Sequence, residues 1–167
     1  MIVGDPYLLS VIAEKVSEWN VTKDADNGYV SLCIDGNLFP KHMINATINT
    51  SLFDILKVLK AIPEDETLDS MNYEQSFEAI YNRVFPSDYE IENDYRYLLA
   101  PYAVTDEGCY VFAVRTNDKI RIMGAELQYD IENSRHILSD IVINVAEVSD
   151  GYIQKLIQGI ESYLSKE

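Results

Sequence analysis

The residue types that most often build metal and redox centres are scarce in this sequence. Of 167 residues only two are histidine and two are cysteine, namely His42, His136, Cys33 and Cys109. No CxxC, HExxH or paired-histidine spacing occurs, and a zinc site needs such ligands brought together. Both cysteines lie in apolar, strand-like runs, which favours buried free thiols over a disulfide. We therefore expect no metal and no cofactor.

Long hydrophobic runs are also missing. The longest stretch without a charged residue, 42–53, is short and rich in Asn and Thr, whereas a membrane-spanning helix needs roughly 20 apolar residues. The N-terminus has no basic segment and reaches Asp5 early, unlike a secretory signal peptide. These absences predict a cytoplasmic protein with no membrane partner.

Motifs for covalent or phosphate chemistry are not apparent. The seven glycines are scattered singly, so no glycine-rich phosphate loop is visible. Ser134, His136 and Asp140 have the residue types of a catalytic triad, but a triad is defined by geometry, and His136 is better interpreted as a strand-start residue. Carboxylates are too numerous for an acid–base pair to be singled out. The sequence thus predicts no catalytic residue and no enzymatic activity.

Basic residues are heavily outnumbered by acidic ones. Lys and Arg total 13 against 28 Asp and Glu, which gives a formal net charge of −15. Such a field repels nucleic-acid phosphates and anionic membranes, so neither is an expected partner. It favours a basic protein partner and speeds the encounter with it. Solubility alone also accounts for an acidic composition, so the charge by itself does not identify the function.

Hydrophobic patterning predicts strands in the first third and in the second half of the chain. They are predicted at 29–34, 109–116, 119–127 and 136–148, with a further strand possible at 44–50. Residues 7–19 fit either a strand or a helix, and residues 23–28 form a loop. Asp35-Gly36 predicts a type I′ hairpin turn, because both positions must adopt positive φ.

Two of the predicted strands differ in their expected burial. Residues 109–116 are apolar on both faces, which predicts a central strand, and Asn117-Asp118 then turns the chain. In 119–127, Ile120 and Ile122 alternate with Lys119 and Arg121, which predicts a strand that is buried on one face only.

Helical spacing of apolar residues predicts three helices. The first, 51–61, is capped by Thr50 or Ser51 and stopped by Pro63. The second, 73–84, buries a stripe of Tyr73, Phe77, Ile80, Tyr81 and Val84. The third follows a cap at Ser149 or Asp150 and has a stripe of Ile153, Leu156, Ile157, Ile160 and Leu164. Strands and helices do not alternate regularly. We therefore predict an α+β fold in which residues 1–167 form one domain, with a mainly antiparallel sheet and about three helices packed on it.

An acidic, tyrosine-rich segment is the strongest candidate for a binding site. Tyrosine occurs 12 times, and its side chain combines a large rigid contact area with a polar tip. Carboxylates that can accept from Arg or Lys are interleaved with tyrosines between residues 86 and 97. The predicted binding residues are Asp88, Tyr89, Glu90, Glu92, Asp94 and Tyr95. A solvated loop is the alternative interpretation. A second acidic run, 64–69, is interpreted as a helix-flanking linker.

Short motifs at both ends and in the middle of the chain form a recognisable set. They are MIVGDPY at the start, Glu18-Trp19-Asn20, Gly28-Tyr29-Val30-Ser31-Leu32, Ile34-Asp35-Gly36 leading to Phe39-Pro40, Asn49-Thr50-Ser51-Leu52, and the closing SDGYIQKLIQGIESYL. This set resembles the Immunity protein 42 family of bacterial polymorphic toxin and contact-dependent growth inhibition systems. The resemblance implies an α+β cytoplasmic protein, encoded beside a toxin and neutralising it by direct binding. It supplies no catalytic residues, and its motif residues are mostly turn and core positions that leave the toxin contacts open.

These observations favour an immunity protein that binds the C-terminal domain of a cognate toxin, which we expect to be basic and to act as a nuclease. One alternative is an inhibitor of a DNA- or RNA-binding protein that mimics nucleic acid. A less favoured alternative is a small carboxylate-dependent enzyme, which would need a deep pocket with two facing carboxylates of shifted pKa. A domain that oligomerises through an exposed strand is a further possibility.

Overall fold

The computed structural model describes residues 1–22, 25–117 and 119–166. Lys23 and Asp24 of the predicted loop, and Asp118 of the predicted turn, lie outside the described residues. The strands are β1 (Ile2–Gly4), β2 (Leu9–Lys15), β3 (Asn27–Ile34), β4 (Asn37–Phe39), β5 (Ala46–Thr47), β6 (Cys109–Thr116), β7 (Lys119–Glu126), β8 (Tyr129–Asp130), β9 (Arg135–His136) and β10 (Asn144–Val148). The helices are α1 (Ile48–Leu59), α2 (Tyr73–Val84), α3 (Tyr102–Thr105) and α4 (Asp150–Leu164), with short 3-10 helices at Ser17–Trp19, Glu66–Leu68 and Tyr95–Tyr97.

The N-terminal sheet is antiparallel and has the order β1-β2-β3-β4, with β5 pairing the opposite end of β3. The segment 7–19, which fitted strand or helix, contains strand β2, seven of whose residues pair with β3. Asp35 has φ of 49° and Gly36 has φ of 75°, so both turn residues are left-handed. This is the geometry that the Asp-Gly pair predicted for the β3-β4 hairpin.

The second sheet is also antiparallel and has the order β10-β7-β6, so β7 is its central strand. The prediction that 109–116 is the central strand is therefore wrong, although β6 is buried on both faces. Apolar patterning reports the burial of two faces and not the number of paired neighbours. The free edge of β6 is covered by two loop segments: Leu99 N donates to Val111 O at 2.8 Å, and Arg115 N donates to Pro63 O at 2.8 Å.

Strand β7 is buried on both faces, which corrects the prediction that Arg121 faces solvent. Only 7% of Arg121 is exposed, because α2 covers that face of the sheet. Its Nη1 donates to Ser76 Oγ at 2.9 Å, and its guanidinium lies 5.0 Å from the centroid of the Tyr73 ring. A charged side chain is thus accommodated by a polar partner and an aromatic face.

The predicted strands at 136–148 and 44–50 are much shorter than expected. The first is divided into β9, which ends at His136, and β10, which begins at Asn144. Asp140, between them, has φ of 56°, a left-handed conformation that ends strand pairing. The second contains only β5, because α1 already begins at Ile48. Alternation of apolar residues does not reveal such turns when no glycine marks them.

The three long helices match the predicted number, but the predicted cap of the first is wrong. Thr50 and Ser51 lie inside α1, where they cannot act as N-caps. Asp26, far away in sequence, takes this role: its Oδ2 accepts from Asn49 N at 2.6 Å, and its carbonyl accepts from Ile48 N at 2.8 Å. At α4 the prediction is confirmed, since Ser149 Oγ accepts from Tyr152 N at 3.3 Å.

Helix α2 has the predicted bounds, 73–84, and its predicted apolar face is buried except at its first residue. Tyr73 is 43% exposed, because its ring covers the guanidinium of Arg121 at the edge of the core. Asn72 Oδ1 accepts from Gln75 N at 2.9 Å, and Gln75 Oε1 accepts from Asn72 N at 3.2 Å. This reciprocal capping box sets the start of the helix.

The second sheet is the middle layer of the molecule. One face, which includes Val111 and Ile122, packs in the cluster formed with the first sheet, α1 and α4. The other face, which includes Phe112 and Met123, packs under α2. Gly124 lies where the two sheets meet: a Cβ there would be 2.7 Å from Ile34 Cδ1 and 2.9 Å from the Phe39 ring, so any larger residue would force these side chains to move. The predicted α+β class, with antiparallel sheets and helices packed on them, is confirmed.

Candidate functional site

The predicted binding segment, 88–95, links the end of α2 to the 3-10 helix at Tyr95–Tyr97. Its C-terminal end is hydrogen-bonded to the last turn of α2. Asn93 Nδ2 donates to Val84 O at 2.7 Å, and Asp94 N donates to Arg83 O at 3.0 Å. The segment is therefore a projecting loop with a fixed base.

The projecting part of this loop presents charges and an aromatic ring to solvent. Asp88 Oδ1 accepts from Glu90 N at 3.0 Å, and Asp88 O accepts from Ile91 N at 3.1 Å, which closes a tight turn. Tyr89 at its tip is fully exposed, and Glu90 and Glu92 are exposed too. Among the described residues, no Lys or Arg forms a salt bridge with the three acids of this turn. Their negative charge is thus available to a partner.

Asp94 differs from the other acids of the segment because it forms a salt bridge within the protein, with Arg96. Arg96 Nε donates to its Oδ1 at 2.8 Å, and Arg96 Nη2 donates to its Oδ2 at 2.6 Å. These hydrogen bonds from Arg96 are the main reason why the pKa of Asp94 lies below its usual value. The carboxylate also accepts from Arg96 N at 3.3 Å and so caps the following 3-10 helix.

A groove of about 800 Å³ lies beside the base of the loop. Its lining is mostly apolar and comes from four places: the end of α1 with the residues just after it, the start of the loop after α2, the segment before β6, and β6 itself. The apolar lining residues include Val58, Ala61, Phe85, Leu98, Ala100 and Tyr110. Tyr95 and Tyr102 contribute exposed rings to it, and the Tyr95 ring packs edge-on against Phe85 with centroids 6.2 Å apart. Three carboxylates and two cations also line it: Asp54, Asp94, Asp106, Lys57 and Arg96.

The six predicted residues therefore divide into two groups. Asp94 and Tyr95 line the groove, whereas Asp88, Tyr89, Glu90 and Glu92 form the exposed turn next to it. Sequence reasoning missed the other groove residues, such as Tyr102. No local motif marks them, because the groove is assembled from segments that are distant in sequence.

The second acidic run, 64–69, has a structural role consistent with its interpretation as a linker. Asp65 forms a salt bridge with Arg83 of α2. It also accepts a hydrogen bond from Tyr97 Oη at 3.2 Å and one from Thr67 N at 3.0 Å. These contacts join the linker, α2 and the segment that precedes β6.

His136 is half-buried and belongs to an aromatic cluster with the buried Tyr81 and Tyr110. Its Nδ1 lies 2.8 Å from Tyr81 Oη, and its Nε2 lies 3.2 Å from Tyr110 Oη. No hydrogen bond joins it to Ser134 or Asp140 within the described residues. His136 lies in a strand but ends β9, so the prediction that it starts a strand is wrong. Burial lowers the pKa of His136 and raises the pKa of Tyr110 to about 12. The cluster is thus neutral near pH 7.

We expect His136 to make the folding stability depend on pH. Because its pKa is lower in the folded state than in the unfolded chain, the unfolded chain binds a proton first as the pH falls. Its contribution is fully present above about pH 6.5 and is lost as the pH falls from there toward the lowered folded-state pKa. Urea unfolding of the His136→Gln variant should show a smaller loss of stability between pH 7.5 and 5.5 than the wild type. His42→Gln, which removes an exposed ring, is the control. An equal pH dependence in wild type and His136→Gln would contradict this assignment.

Asp94 has a lowered pKa, which disfavours the protonated form that a general acid requires. Within residues 1–22, 25–117 and 119–166, no group of three His, Cys, Asp or Glu side chains could hold a metal ion. In the same ranges, no helix has the length and apolar character to span a membrane.

The two most distinctive sequence motifs hold each other in place. Asp5 Oδ1 accepts from Tyr7 N at 2.9 Å and shapes the turn of GDP-Y. Gly36 N, in the hairpin turn of IDG-x-x-FP, donates to Pro6 O at 2.8 Å. Asp5 N also donates to Tyr152 Oη of α4 at 2.6 Å. These motif residues join the first sheet to the last helix and lie apart from the groove lining.

Comparison with known proteins identifies the family. Among solved structures, the fold is similar to that of CdiI from Burkholderia dolosa AUO158, with a TM-score of 0.74, 23% sequence identity and coverage of 100% of both chains. No curated protein matches the sequence. The family model Immunity protein 42 matches residues 1–163, which is nearly the whole chain. The chain therefore belongs to the Immunity protein 42 family, as its motifs predicted.

Proposed function

We propose that this immunity protein neutralises a cognate toxin by binding its C-terminal domain through segment 88–95. The proposal rests on one observation: the projecting turn exposes three carboxylates, those of Asp88, Glu90 and Glu92, beside the exposed ring of Tyr89. Asp88 shapes the turn by accepting from Glu90 N, but none of the three acids forms a salt bridge among the described residues. Even an exposed salt bridge contributes only about 0–1 kcal/mol to stability, so these charges add little to the fold. The turn is well suited to Arg and Lys of another protein.

The toxin domain in this proposal is basic and acts as a nuclease. Nucleases bind phosphates through Lys and Arg, and the same groups can donate to carboxylates instead. The net charge of −15 attracts such a domain over a distance, and the exposed turn concentrates part of that charge at one place. The immunity protein would act in the cytoplasm of the producing cell, as part of a contact-dependent growth inhibition or related toxin system.

Tyrosines provide the short-range part of the proposed contact. Tyr89 and Tyr95 extend from the same segment as the carboxylates, and the groove lies next to them. Aromatic anchors in well-packed pockets contribute most of the affinity in protein interfaces, whereas exposed charges mainly affect association. An interface of about 1,600 Å² in total supports tight binding when it contains such anchors.

The direct test uses the toxin domain encoded immediately upstream of this gene. We expect the two purified proteins to co-elute as a 1:1 complex in size-exclusion chromatography. Equimolar immunity protein should abolish cleavage of DNA or RNA by that domain. The C-terminal domain of an unrelated toxin is the control and should keep its activity. Separate elution together with undiminished toxin activity would refute the proposal.

A further inference from the structure

We infer that the groove beside segment 88–95 is the anchoring site of the complex, and that it receives a bulky apolar side chain of the toxin flanked by Lys or Arg. This inference rests on the proposed function and assigns different tasks to two neighbouring features. The acidic turn attracts the toxin, and the groove holds it. The chemistry of the groove specifies the kind of toxin segment that fits.

The shape and lining of the groove fit an inserted side chain. Its volume of about 800 Å³ exceeds that of any single side chain, and its lining is mostly apolar, including Val58, Leu98 and Ala100. Phe85 and Tyr110 add aromatic surface that is fixed by the cluster around Tyr81, with ring centroids of 5.2 and 5.4 Å to it. A mostly apolar groove with packed aromatic rings in its wall matches the sites that hold anchor residues in protein interfaces.

The charges around the groove favour basic neighbours of that side chain. Arg96 is already engaged by Asp94 through two hydrogen bonds, so it offers little positive charge to a partner. Asp54 and Asp106 also line the groove, and Lys57 is the remaining cation of the lining. The acidic turn at 88–92 extends this negative surface beyond the groove. An apolar side chain with Lys or Arg beside it therefore complements both the lining and the rim.

Exposed aromatic rings stand around the opening. Tyr102 is 76% exposed and Tyr95 is 55% exposed, and both line the groove. Tyr89 and Ile91, on the adjacent turn, are exposed as well. So many large apolar side chains on one segment of surface are typical of a protein interaction site.

The inference predicts that filling the groove weakens the complex without unfolding the protein. Ala61 is exposed and lines the groove just after α1, so Ala61→Trp should occupy its mouth while leaving the core unchanged. We expect at least a tenfold loss of affinity for the upstream-encoded toxin domain, mostly as faster dissociation, in surface plasmon resonance. Gln154→Trp, on the exposed side of α4, adds the same side chain elsewhere and should bind like the wild type.

A second pair of variants removes an aromatic ring instead of adding one. Tyr95 and Tyr129 are matched, being 55% and 54% exposed, and each packs edge-on against one neighbouring ring, Phe85 and His136 respectively. Tyr95→Ala should dissociate from the toxin domain at least tenfold faster than wild type, whereas Tyr129→Ala should not. Circular dichroism and urea unfolding establish that all four variants are folded.

The outcomes separate this inference from the proposed function. If wild type fails to bind the toxin domain, the proposed function fails. If wild type binds while Ala61→Trp and Tyr95→Ala keep affinities within twofold of it, the groove lies outside the interface. The inference and the anchoring role of Tyr95 are then overturned, while neutralisation of the toxin by direct binding stands. The inference is supported if both groove variants lose affinity while Gln154→Trp and Tyr129→Ala bind like the wild type.

Discussion

Replacing Asp88, Glu90 and Glu92 by Asn, Gln and Gln is expected to slow association with the toxin domain by about 10- to 100-fold at low salt. These three carboxylates are exposed and have no salt-bridge partner in the described structure, so their removal costs the folded protein little. Rim charges act mainly on the association rate, and salt screens them over about 10 Å at 0.1 M. The salt dependence of the rate, measured by stopped-flow mixing, should therefore become flatter.

The control for this experiment is a second triple variant with the same total charge. Glu18→Gln, Glu78→Gln and Glu132→Gln remove the same number of exposed carboxylates from other surfaces. This control variant should associate within about threefold of the wild-type rate, because screening limits the reach of distant charges. Asp94 is left unchanged, since it holds Arg96 and its replacement would release a cation at the groove. Equal slowing in the two triple variants would show that net charge matters and that the turn is not in the interface.

The second large effect is expected in the core, at Phe112. Its side chain is fully buried between β6 and α2, with its ring centroid 5.0 Å from that of Phe77. Phe112→Ala should lower the free energy of unfolding by about 3–5 kcal/mol, because it removes apolar contacts and leaves a cavity where the middle layer meets α2. Urea unfolding followed by far-UV circular dichroism measures the change.

Phe53→Ala is the matched control for this substitution. Phe53 lies on α1 and is 60% exposed, so the same truncation should cost less than about 1 kcal/mol. If Phe112→Ala cost as little as Phe53→Ala, the packing of α2 on β6 would not hold the second layer together. If instead Phe112→Ala failed to fold at all, the milder Phe112→Leu should still show a loss larger than that of Phe53→Ala.

Local patterns in the sequence determined several elements of the fold. The bounds of α2 follow from its apolar spacing and from the capping pair Asn72 and Gln75, since both signals act within one helical turn. The β3-β4 turn follows from Asp35-Gly36, because few other residue pairs adopt two positive φ angles in succession. The surplus of acidic residues and the acidic, tyrosine-rich segment at 88–95 were also visible, since charge and composition are properties of short segments.

Features that depend on contacts between segments distant in sequence were decided only by the tertiary structure. Arg121 is buried because α2 covers its face of β7, and Asp26 caps α1 from a loop that is far away in sequence. The groove is formed by the end of α1, the segment after α2, the segment before β6 and β6 itself, so no single stretch of sequence contains it. Packing between segments, which periodicity does not encode, determines which side chains face solvent and which surround a groove.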